Sequence, residues 1–169
     1  MQPPISDLAS VFGIVAVLVA IVALVMESRR DRFALQADLL LRLDEKLHSP
    51  ELKSLRRIAA EKLLHNENPN YELEEVLDYL STIAFFYERK AIDTDLTYKN
   101  FSYWLGRYWL CGRTYVVEES RKHDPQGYQT LEKVAEVFVQ RELKSGYPPF
   151  GEEILRAFLL EEARWTDSV

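Results

Sequence analysis

Hydrophobic and polar positions divide this chain into two regimes. From Leu8 to Met26 nineteen residues pass without a charge, and twelve of them are Leu, Ile, Val or Phe. At 1.5 Å per residue a helix over this run covers roughly 28 Å, close to the hydrocarbon thickness of a bilayer. Each large apolar side chain favours insertion by about 0.3–0.6 kcal/mol near the centre, which sums to roughly −5 kcal/mol. The run reads as a transmembrane helix. Beyond it the pattern changes to the 3.6-residue period of amphipathic helices.

Residues 27–47 contain no Gly or Pro, so the membrane helix is expected to continue through them. Ser49-Pro50-Glu51 is a helix start: a Ser cap, Pro at the first helical position and an acid in the first turn. The helix that follows aligns Leu52, Leu55, Ile58, Ala59 and Leu63, and Asn66-Glu67-Asn68-Pro69-Asn70 stops it. The cleanest period lies over about 72–91, where Leu73, Val76, Leu77, Leu80, Ile83, Ala84 and Tyr87 fall on one stripe. Tyr79, Phe85 and Phe86 lie off it and predict a second buried side. Asp93 or Thr94 caps a helix over about 94–122. Its Tyr98, Phe101, Trp104, Leu105, Tyr108, Trp109, Gly112, Tyr115 and Val116 share an arc of about 140°. Leu131, Val134, Ala135 and Phe138 mark another helix; Ile154, Leu155, Phe158 and Leu159 mark the last.

The expected fold is all-α: one N-terminal transmembrane helix continuing into a cytosolic bundle of about five further helices. The boundaries are a short extracytoplasmic stretch at 1–7, the span at 8–26, the helical domain at 27–165 and a loose tail at 166–169.

Charge sets the orientation. No Lys or Arg precedes the span, whereas Arg29, Arg30 and Arg32 follow it directly. Basic flanks stay on the cytoplasmic side, so the N-terminus is expected outside and the body inside. A cleaved signal peptide wants its positive charge before the apolar run and small residues after it, and neither is present. The three arginines also suit contact with anionic lipid. All acids but Asp7 lie in the body, which carries nearly all of the formal net charge of −6. That argues against a nucleic-acid partner. The single Cys111 permits no internal disulfide and fits a reducing compartment.

Chemistry is sparse. Glu45…His48 has the spacing of a di-iron ligand pair, but no second copy exists. Glu61…His65 and Glu119…His123 stand at helix ends, where the helix dipole alone favours histidine. Cys111 sits mid-helix among Trp and Leu, the setting of a small buried hydrophobe rather than a nucleophile. No Gly-rich phosphate loop, Gly-x-Ser-x-Gly or Cys pair occurs. No catalytic, cofactor-binding or metal-binding residues are therefore assigned, and no enzyme activity is expected. Tyr98, Phe101, Trp104, Tyr108 and Trp109 are candidates to line an aromatic pocket, although their arc has the width a core-facing helix needs.

In the span, Ala9, Gly13, Ala16, Ala20 and Ala23 alternate spacings of four and three, and Ala34, Ala37 and Leu41 continue the seam. Small residues let membrane helices approach closely, and this repeat favours a left-handed pair. A homodimer, or pairing with another membrane protein, is the expected use.

The ordered motifs also resemble a family. They are the span with its arginines, Leu47-His48-Ser49-Pro50-Glu51-Leu52 leading to Arg56-Arg57, and Val76-Leu77-Asp78-Tyr79-Leu80 leading to Ala91-Ile92-Asp93-Thr94-Asp95-Leu96. Tyr108-Trp109, Arg121, Asp124-Pro125 and Tyr128 follow. Together they are similar to a family of small bacterial membrane-anchored helical proteins known as a domain of unknown function (DUF4760). The resemblance implies an anchored helical domain, supplies no activity, and departs at Ala91, where relatives often carry Gly.

The expectation is a single-pass inner-membrane protein that acts as an interaction or scaffold module. The alternative is a membrane-tethered sensor with a small ligand in the aromatic region.

Overall fold

A computed structural model describes residues 5–67 and 70–164, with side chains described from residue 21 onward except at 70. Among these residues six α-helices form: α1 (Ile5–Leu47), α2 (Pro50–Leu64), α3 (Asn70–Glu88), α4 (Thr94–Tyr115), α5 (Gln129–Lys144) and α6 (Glu152–Ala163). A π-turn over Val116–Ser120 and one α-turn over Arg121–His123 extend α4. No strand occurs among the described residues, so the all-α expectation holds. Among those residues no helix is long and apolar enough to cross a membrane. Most of the proposed span, residues 8–20, lies outside the described side chains, as do Ala9, Gly13, Ala16 and Ala20. The tail at 166–169 also lies outside the description.

The chain divides into two compact units, one ending at Asp38 and the other starting at Leu39. In the first, every side chain from Ile21 to Leu35 is exposed. The second holds the core. Its α2 packs on α6 and α3, while α5 packs on α3 and α4. The stripe of α3 is buried as its period requires, with Leu73, Leu77, Leu80, Ile83 and Ala84 fully covered. Tyr79 and Phe86 pack at the core's edge, but Phe85 stays 46 % exposed, so the second buried side is partial.

Local chemistry sets the boundaries. Ser49 Oγ accepts from Leu52 N at 3.3 Å, with Pro50 opening α2. Asp93, rather than Thr94, caps α4 by accepting from Leu96 N at 2.8 Å. The helix expected to run to Ala91 ends at Glu88 instead. Lys90 takes the left-handed conformation (φ 53°), its N–H bonds Tyr87 O, and Ala91 N–H bonds Phe86 O. This is a Schellman stop, with lysine where glycine is usual. Asn66 (φ 55°) and Gly146 (φ 86°) close α2 and α5 by the same pair of bonds.

Candidate functional site

Four side chains from three helices meet inside the second unit. Arg56 of α2 and Glu162 of α6 are both about 3 % exposed, with Arg56 Nε 3.0 Å from Glu162 Oε2. That N–H is not aligned for a hydrogen bond, so the contact is coulombic. Arg56 Nη1 donates to Leu47 O at 3.3 Å, in the last turn of α1. A guanidinium there meets the negative end of the helix dipole and one of its orphan carbonyls. From α4, Tyr108 OH lies 2.8 Å from Glu162 Oε2 and 3.2 Å from Arg56 O. Its one proton goes to the nearer, charged acceptor. Trp104 Nε1 donates to Glu162 Oε1 at 3.2 Å. Arg56 also lies over the Trp104 ring at 5.4 Å, and His48 meets that ring edge-on.

Electrostatics follow from this packing. Burial, reinforced by Glu162, pushes the Tyr108 hydroxyl well above the ordinary tyrosine range, so it stays a donor. Burial likewise raises Tyr79, whose hydroxyl donates to Leu43 O. The end of α1 is thus held from two sides, by α2 and α3. Both Glu162 oxygens are engaged by protein donors, and the side chain is about 3 % exposed.

The five aromatic candidates do come together, but around side chains rather than space. Phe101, Tyr108 and Trp109 are buried; Tyr98 and Trp104 are half-buried. Tyr108 packs edge-on against Phe158, and Tyr98 against Phe138. Four surface concavities are lined by other residues than Tyr98, Phe101, Trp104 and Tyr108; Trp109 borders one of them, of about 300 Å³. Tyr103, the aromatic off the arc, donates to Glu161 and lies 4.2 Å from Arg107.

The other candidates disperse. Nδ1 of His48 and of His65 lies within 3 Å of the carbonyl four residues back, at Asp44 and Glu61. No group of three or more His, Cys, Asp or Glu able to hold a metal occurs among the described residues. Burial pushes the Cys111 thiol up to about 12, the opposite of what a nucleophile needs. Gly112 faces α3, as a close helix approach requires, through Leu73 and Leu77. Arg29, Arg30 and Arg32 are exposed on α1, as are Ala23, Ala34, Ala37 and Leu41 of the small-residue seam.

Glu162 and the buried Glu142 were not singled out from sequence, and Arg56 entered only as part of a motif, with no role assigned. The available signal was phase. Arg56 follows Leu52 by four, Glu162 follows Leu155 by seven, and Glu142 follows Phe138 by four, each a charge on an apolar stripe.

The stretch with Arg121, Asp124-Pro125 and Tyr128 forms a corner. Arg121 donates to Gly127 O at 3.1 Å and to Glu132 at 2.6 Å. Asp124 accepts from Gln126 N, and Tyr128 takes a left-handed conformation (φ 61°).

No curated protein and no solved structure matches the chain. A family model matches residues 10–138, from within α1 to within α5, and stops short of Glu162 and α6. The chain belongs to that family, Domain of unknown function (DUF4760).

Proposed function

We propose that this is a single-pass inner-membrane protein, N-terminus outside, whose cytoplasmic helical body binds other proteins, with self-association along α1. One observation carries the reading. Every described α1 side chain from Ile21 to Leu35 is exposed, and Phe33 (61 %), Leu35 (71 %) and Leu41 (57 %) are among the most exposed apolar residues. Exposed apolar stretches of this kind mark membrane or protein contacts. Lipid is the natural cover for Ile21–Met26, and a second helix for the seam through Ala34, Ala37 and Leu41. At 43 residues α1 exceeds the roughly 20 a bilayer requires, which leaves turns for pairing outside it. A catalytic role finds no support, because the buried carboxylate is fully engaged. The sensor reading finds none either, because Phe158, Glu162 and Arg56 fill the space beside Trp104 and Tyr108.

The test has two arms. Full-length protein should resist alkaline extraction from membranes, and its C-terminus should be protected from protease outside intact cells. In a membrane two-hybrid assay, Ala16→Leu with Ala20→Leu should lower self-association several-fold. Complete partition into the soluble fraction would overturn the membrane reading; an unchanged two-hybrid signal would overturn the pairing.

A further inference from the structure

Of the helices in the body, α6 is the least committed to the core. It follows a stretch, 145–151, that contains no helix and leaves Tyr147, Pro148 and Pro149 exposed. It buries two apolar side chains, Phe158 and Leu159, where α5 buries Leu131, Val134, Ala135 and Phe138. Helices α3, α4 and α5 pack on one another, whereas α6 lies chiefly on α2 and touches α4 more lightly. Segments attached in this way open as units of their own, below the free energy of global unfolding. The polar group that α6 carries into the body is Glu162. Its carboxylate takes the Tyr108 hydroxyl at 2.8 Å, the Trp104 N–H at 3.2 Å and the charge of Arg56 at 3.0 Å. The same Arg56 donates to Leu47 O at 3.3 Å, and the Trp104 ring meets His48 at 5.5 Å between centroids. Two side chains that seat α6 thus also grip the residues where α1 ends.

We infer that α6 is a latch on α1: its seating fixes the last turn of α1, and the two come loose in one event. With α6 released, Arg56 loses its counter-charge and its cover. A guanidinium opened to water exchanges a carbonyl partner for solvent at small cost, so Leu47 O is freed, and Trp104 loses the acceptor that orients it against His48. Coupling between two places needs an element with two arrangements and contacts shared by both. Here the element is α6, seated or released, and the shared contacts are Arg56 and Trp104. Because α1 is one helix from Ile5 to Leu47, a partner that grips α6 acts on the helix assigned above to the membrane. That consequence alone rests on the membrane reading; the latch itself does not.

Hydrogen exchange on the full-length protein in detergent micelles tests the latch. Three segments are compared: 44–49 at the end of α1, 154–163 in α6 and 76–84 in α3. In the unmodified protein the first two should open at matching free energies, both below that of α3. Phe158→Ala then weakens α6 at a ring that packs on Tyr103 and Tyr108 of α4. Exchange of 154–163 and of 44–49 should quicken by the same factor, on the order of 100-fold for a buried Phe→Ala. Tyr103→Phe removes only the hydroxyl bonded to Glu161 and should give the same paired change at several-fold scale. It carries the test if Phe158→Ala does not fold. Faster exchange in α6 with 44–49 unchanged overturns the inference. So does a 44–49 segment as protected as α3, which would open only with the whole body, and so does an α6 that neither variant loosens. Alkaline extraction decides the membrane reading separately: a soluble protein with paired exchange keeps the latch and loses only its consequence for the membrane.

Discussion

Arg56 joins three parts of the body. It holds the last turn of α1 through Leu47 O, balances Glu162 and lies over Trp104. Removing one member of a buried ion pair strands the other in a low dielectric, which costs about 3–5 kcal/mol. Arg56→Ala and Glu162→Ala should therefore each lower stability by that amount in chemical denaturation. Arg56→Met with Glu162→Leu should recover much of the loss, because both charges leave together. Full additivity of the two alanine losses would contradict the pairing.

Glu142 behaves differently. It is 8 % exposed, and burial raises its carboxyl above the ordinary range despite Arg107 at 3.8 Å. A raised acid holds its proton longer in the folded state than in the unfolded state. Its contribution thus favours folding below the unfolded value and diminishes as pH rises through the folded one. Glu142→Gln should match the wild type in melting temperature near pH 4 and exceed it at pH 7. Parallel curves for the two proteins would refute the linkage.

At the scale of elements, helix ends differ in how far their signals reach. Ser49-Pro50 and Asp93 were legible because a cap is built from a side chain and the backbone two or three residues on. The end of α3 was not, because a Schellman stop needs only one residue at positive φ, and lysine carries no such signature. Holding Lys90 there costs about 1–2 kcal/mol, which glycine avoids at the expense of some unfolded-state entropy. Lys90→Gly should raise the melting temperature by a few degrees. In α4, a Cβ at Gly112 would meet Leu73 and Leu77 at 3.4–3.5 Å, ordinary contact distances. Gly112→Ala should therefore be neutral or stabilising by up to about 1 kcal/mol, and a large loss would show that α3 cannot give.

At the scale of the molecule, the period of each helix foretold which face is covered, down to Leu73, Phe101, Leu131 and Phe158. It did not say what each face is covered by. Burial of an apolar stripe is a local demand that any neighbour can satisfy, so the aromatic arc of α4, though of core-facing width, still admitted a pocket. The arrival of α5 with Phe138 and of α6 with Phe158 and Glu162 filled it.

By itself the sequence determined the all-α class, the approximate number of helices, the caps that open α2 and α4, and the apolar run followed by arginines. Each of these follows from hydrogen bonds and side-chain spacing within a few turns, or from transfer energy summed along one segment. Tertiary structure alone decided that Arg56, Tyr108 and Glu162 meet and that the aromatics close on a carboxylate. Those outcomes depend on which distant helices pack together, a choice made by the whole core rather than by any window of the chain.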